Sequence, residues 1–127
     1  MNSDYRDKNS RKKQSLVSSF YFAFIGVITA LKAERNLKIH FVMTVLVIFF
    51  GIIFELTKTE WLLISFAVAG MIALELMNTA IERVVDLVTT EQHPLAKQAK
   101  DIAAGAVLIY AVLTVIIGLS IFLPKIL

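Results

Sequence analysis

The chain has 127 residues, 57% of them hydrophobic, with a mean hydropathy of +0.75 and a net charge of +3. That is too apolar for an ordinary soluble domain of this size, and in so apolar a chain the basic balance points to anionic lipid headgroups and away from nucleic acid. There is no cysteine, which excludes a disulfide framework and a thiolate metal site.

Eight of the 13 Lys and Arg lie between Arg6 and Lys38, so a cytoplasmic N-terminus is expected. Residues 1–14 read as a flexible basic tail. The first 15 residues are polar, and no small-residue cleavage site closes a short apolar core, so no cleavable signal peptide is expected. Leu16 to Leu31 carries no charge and is rich in aromatics (Phe20, Tyr21, Phe22, Phe24). It reads either as a short span or as a helix lying in the interface. Basic clusters flank it on both sides (Arg11, Lys12, Lys13; Lys32, Arg35, Lys38), and spanning would put one of them outside. A surface helix over 15–33 is therefore preferred.

The first clear span is expected at 38–55, with an apolar core from Ile39 to Phe54, slightly short for a hydrocarbon layer of about 30 Å. Glu55 to Glu60 reads as a tight external turn. Trp61 is an interface anchor for a second helix over 61–87. Thr89 to about Lys97 reads as a cytoplasmic loop whose end is fixed by Pro94. A third helix is expected at 99–123, closed outside by Pro124-Lys125. The fold class expected is an all-α integral membrane protein, a single domain of three transmembrane helices plus an N-terminal amphipathic surface helix.

The second span ends on Glu75-Leu76-Met77-Asn78-Thr79-Ala80-Ile81-Glu82-Arg83-Val84-Val85-Asp86. At about 100° per residue, Glu75, Asn78, Glu82 and Asp86 fall within about 80° of one another, on one helix face. With the N-terminus inside, three spans bring Glu34, this face and Lys100-Asp101 to the same boundary. At about 1.5 Å per residue Glu82 lies roughly 33 Å below Glu60, and Glu75 about 10 Å higher, within the hydrocarbon. Ionisable groups at that depth are functional-site candidates.

Carboxylates without His or Cys partners suit a hard cation such as Mg²⁺, held by one or two carboxylates plus phosphate oxygens. Lys100, Lys38 and Arg35 can meet phosphates. A carboxylate at Glu75 can accept a proton from an alcohol. The set points to metal-phosphate chemistry at a membrane surface. Two other readings stay open: a polar seam joining helices in a scaffold, and a cation path, against which stand the wholly apolar outer halves of the spans. No phosphate-binding glycine loop of the Walker type and no protein-kinase signature occurs. His93 reads as a loop histidine and His40 as a packing or interfacial residue.

The Glu75 to Asp86 segment, followed by His93-Pro94-Leu95-Ala96-Lys97-Gln98-Ala99-Lys100-Asp101, resembles the bacterial membrane diacylglycerol kinase family, and Ala33-Glu34-Arg35-Asn36 fits the same pattern. The resemblance runs from about residue 15 to the end. His93 to Lys97, Glu34-Arg35-Asn36 and Ile121-Phe122-Leu123-Pro124-Lys125 resemble the Gram-positive branch, whose members phosphorylate undecaprenol more readily than diacylglycerol. The resemblance implies an ATP- and Mg²⁺-dependent lipid kinase in the bacterial cell membrane, a homotrimer with sites between subunits at the cytoplasmic face. It implies Glu75 as catalytic base, Asn78 as a polar residue orienting its neighbours, and Glu34 and Glu82 as metal ligands. Glu91, Gln92, His93, Lys100 and Asp101 correspond to nucleotide contacts. Gln92 stands where some members carry an aromatic. Ser15, Phe22 and Ile25 stand where polar or basic contacts are common, so contacts of the surface helix are not carried over.

Overall fold

The computed structural model describes residues 15–127; the basic tail expected at 1–14 lies outside the described residues. It contains four helices: α1 (Leu16–Ala33), α2 (Arg35–Ile53), α3 (Lys58–Val88) and α4 (Pro94–Ile126). All four are long and apolar enough to cross a membrane, α1 included. Large apolar side chains stay exposed along all of them, Phe20, Phe66 and Ile109 among the most open. Water would not tolerate that surface, whereas lipid does, and the chain is a membrane protein.

The breaks between helices are short and each has a local cause. Ser15 caps α1 by accepting from the Ser18 N–H. Glu34 alone separates α1 from α2; its backbone is extended and its N–H closes α1 onto the Ala30 carbonyl. The α2 helix thus starts at Arg35, a turn earlier than the apolar run suggests, because one extended residue suffices to redirect the chain. It ends in a Schellman motif. Glu55 sits at φ 50, its N–H bonds the Ile52 carbonyl, and the Leu56 N–H bonds the Gly51 carbonyl.

The turn expected over Glu55–Glu60 is shorter in the structure, because Thr57 and Glu60 form a capping box that starts α3 at Lys58. The Thr57 N–H donates to Glu60 Oε2 (2.7 Å), and the Glu60 N–H donates to Thr57 Oγ1 (3.3 Å). The α4 helix likewise starts at Pro94, not near residue 99. Pro is suited to the first helical position, and His93 caps it with Nδ1 accepting from the Leu95 N–H. At the far end Pro124 does not close the helix, which continues to Ile126. The residues after Pro124 need no bond from its missing N–H, and Leu127 N–H still reaches the Leu123 carbonyl.

The α3 and α4 helices pack antiparallel along most of their length. Their cores meet at the Glu60 end, where Leu56, Ile64 and Ile121 are buried with Trp61, Val68, Ile117 and Phe122 around them. Lys125 Nζ reaches Glu60 Oε1 at 3.3 Å across the same end. Two glycines permit close approach: a Cβ on Gly51 would lie 2.6 Å from the Trp61 ring, and one on Gly70 would collide with the Tyr110 hydroxyl. Tyr110 uses that space to donate to the Phe66 carbonyl (2.7 Å). At 31 and 33 residues, α3 and α4 are roughly 46 and 50 Å long, well beyond the hydrocarbon layer, so one end of each must project from it.

Candidate active site

The polar face of α3 lies opposite the Glu60 end and has three levels. At the deepest, Glu75 is buried, 5% exposed, and its Oε1 stands 3.4 Å from His40 Nε2 on α2. With Asn36, Ile39, Met71 and Val107 the pair lines a cleft of about 260 Å³. One turn along, Asn78 Nδ2 donates to Glu82 Oε1 (2.9 Å), the i,i+4 spacing placing both on one side of the helix. Asn78 Oδ1 is buried with no hydrogen-bond partner. A buried acceptor left unmatched is uncommon, and among the described residues Thr114 Oγ1 on α4 is another.

At the third level Lys100 Nζ on α4 donates to Asp86 Oδ1 at 2.6 Å. That hydrogen bond holds the Lys100 ammonium above its usual range. Asp86, Glu91, Gln92, His93, Lys97 and Lys100 together line a cavity of about 630 Å³ between the helix ends. With Nδ1 engaged as the α4 cap, His93 is left with Nε2 as its donor toward that space.

The structure therefore brings Glu75, Asn78 and Glu82 onto one continuous face, and Glu91, Gln92, His93 and Lys100 around one cavity. It separates Lys100 from Asp101: Lys100 points at α3, whereas Asp101 pairs with Lys97 on the exposed side of α4. Glu34 caps no helix through its side chain, and no group of three His, Asp or Glu side chains close enough to hold a metal occurs among the described residues. Two residues gain importance that sequence reasoning gave them little of. Asp86, placed on the polar face by its spacing alone and given no role there, is the partner of Lys100. His40 read as a packing residue but contacts Glu75. The face of Asp86 was legible from its spacing; the partner was not, because it comes from another helix.

The model of the prokaryotic diacylglycerol kinase family matches residues 21–122 of this chain. An undecaprenol kinase of Bacillus subtilis is 46% identical over 122 residues, covering 96% of each chain. A diacylglycerol kinase of Synechocystis is 40% identical over 114 residues, 89% of this chain and 65% of the relative. A diacylglycerol kinase of Haemophilus influenzae is 33% identical over 94 residues, 74% of this chain and 80% of the relative.

Proposed function

This chain belongs to the prokaryotic diacylglycerol kinase family and is a lipid kinase, and from that premise we propose that its substrate is undecaprenol, which it converts to undecaprenyl phosphate with ATP and Mg²⁺. The observation that carries the substrate is the near-full-length match to a protein named undecaprenol kinase; the matches to diacylglycerol kinases cover less of this chain at lower identity or less of the relative.

The geometry supports a division of labour along α3. Glu75, deepest, faces the lipid alcohol and accepts its proton as the oxygen attacks the γ-phosphorus. The new C–O–P linkage forms as the bond to the leaving ADP breaks. Asn78 orients Glu82. Lys100, steered by Asp86, meets phosphate oxygens, and Glu91, Gln92 and His93 border the nucleotide; Asp101 has a smaller part there through its exposed pair with Lys97. The donors at the middle level are oxygens only, a carboxylate and an unmatched amide carbonyl, which fits a hard cation. Glu82 and Glu34 would hold Mg²⁺ with phosphate oxygens, and the ion would supply neutralisation of phosphate charge.

In a homotrimer with shared sites a neighbouring subunit would complete the ligand set around Glu82 and cover part of the exposed apolar surface, the rest facing lipid. In this reading α1, the surface helix expected at 15–33, lies on the cytoplasmic surface, since spanning would put one of its flanking basic clusters outside, and the membrane spans lie within helices 38–55, 61–87 and 99–123 of a single kinase domain. The active site and N-terminus are then cytoplasmic and the C-terminus outside. A C-terminal reporter active on the outer face supports three crossings; one active in the cytoplasm supports four.

The test of substrate is transfer of labelled phosphate from ATP to undecaprenol and to diacylglycerol, side by side in detergent micelles with Mg²⁺. Faster labelling of undecaprenol is expected. Preferential labelling of diacylglycerol would overturn the substrate assignment and leave the lipid kinase intact.

A further inference from the structure

We propose that His40 is a positioning residue for Glu75: its Nε2 fixes one carboxylate oxygen so that the other is presented to the lipid hydroxyl. The inference rests on reading Glu75 as the base. Glu75 is 5% exposed, so its carboxylate has given up nearly all of its water. A buried carboxylate needs a donor in exchange. His40 Nε2, at 3.4 Å, is the one ion-pair contact Glu75 makes among the described residues. That distance is long for a hydrogen bond, and catalytic hydrogen bonds commonly tighten only when substrate arrives. A neutral imidazole donates through Nε2–H as an imidazolium does, so the role does not depend on charge.

The place of the ring supports the assignment. The His40 side chain is 28% exposed and borders two spaces at once. One is the cleft of about 260 Å³ that it shares with Glu75 and Met71; the other is an apolar groove of about 430 Å³ that continues between the helices past Val68 to Phe122. An alcohol on an apolar tail that reached Glu75 from this groove would pass the imidazole. The backbone that carries the ring is itself held. Thr44 Oγ1 donates to the His40 carbonyl (2.8 Å), and Leu37, one turn before, is buried against its neighbours.

The experiment compares His40→Leu, His40→Met and His40→Gln, made in the full chain and in the Glu75→Gln background. Phosphate transfer is followed to whichever of undecaprenol or diacylglycerol the parent protein labels. His40→Leu and His40→Met remove the donor, and whichever keeps the parent's melting temperature and elution volume in detergent is read. A fall in kcat of about 30-fold or more is expected, with KM for Mg-ATP within about twofold. His40→Gln, which restores an N–H donor, is expected to recover kcat to within about fivefold of the parent. In the Glu75→Gln background the apolar variant is expected to change the residual rate less than about twofold, because the two residues act as one unit. The proposal is overturned if the apolar variant keeps kcat within about threefold. It is equally overturned if His40→Gln is as impaired as the apolar variant, if the effects of His40 and Glu75 multiply, or if neither apolar variant folds. A parent that labels only diacylglycerol contradicts the substrate assignment and leaves the His40 comparison readable on that lipid. Full turnover in Glu75→Gln removes the base, and this inference with it.

Discussion

At the Glu60 end of α3 the polar groups close on one another: Thr57 and Glu60 cap the helix reciprocally, Glu60 pairs with Lys125, and a small apolar core lies directly beneath. At the Glu82 end they remain partly open. Asn78 keeps an unmatched buried carbonyl, Glu75 has one long contact, and Asp86 and Lys100 stand at the rim of a cavity. The same helix thus spends its two ends differently. Satisfied caps and packed aromatics hold two helices in register. At the other end the polar groups leave Asn78 Oδ1 unmatched and open onto a cavity, the arrangement on which the proposed site rests.

The comparison can be broken by substitutions at each end. The largest effect is expected for Glu75→Gln, a loss of about 10²-fold to 10⁴-fold in kcat with an unchanged melting temperature, measured by phosphate transfer and thermal unfolding in detergent. A large loss of stability instead would make Glu75 a structural residue. Next, Lys100→Met is expected to raise KM for ATP about tenfold, with Asp86→Asn changing it less, because Asp86 acts only by steering the ammonium. Midway along α3, Gly70→Ala must displace Tyr110 from the Phe66 carbonyl and is expected to cost about 1–3 kcal/mol, measured by thermal unfolding in detergent. Unaffected stability would show that α3 and α4 can part there freely.

The smallest effects belong to the α3 cap. Thr57→Ala is expected to cost about 1 kcal/mol. The Glu60 carboxyl is held below its usual range, first by the Thr57 N–H. Its contribution is therefore complete above the ordinary carboxylate value and fades as pH falls through the lower folded-state value. The melting temperature of the parent is expected to drop more steeply than that of Glu60→Gln between about pH 5 and pH 3; parallel curves would contradict the capping box.

Much of this division was legible before any helix was placed. A run of apolar residues ending in Glu75, Asn78, Glu82 and Asp86 at helical spacing defines a polar face at a span's end, because periodicity depends only on the chain itself. Helix ends were less legible. Glu34, Thr57 and His93 act through backbone and capping bonds that extend α2, α3 and α4 beyond their apolar runs. Least legible were partners from other helices. Nothing local to His40 points to Glu75, and nothing local to Asp86 points to Lys100, since both pairings are set by how α2 and α4 pack on α3. The different partners of Lys100 and Asp101 were equally hidden: neighbours about 100° apart on a helix face different surroundings, so Lys100 meets Asp86 on α3 while Asp101 meets Lys97 on its own helix.

The most direct test of a deep base beside a shallower metal-nucleotide site is to measure Mg-ATP affinity and turnover together for Glu75→Gln and Glu82→Gln. Glu75→Gln is expected to bind Mg-ATP within about twofold of the parent while turnover falls at least about 10²-fold, and Glu82→Gln to lose about tenfold or more in affinity. Equal losses of Mg-ATP affinity in the two variants would contradict the division.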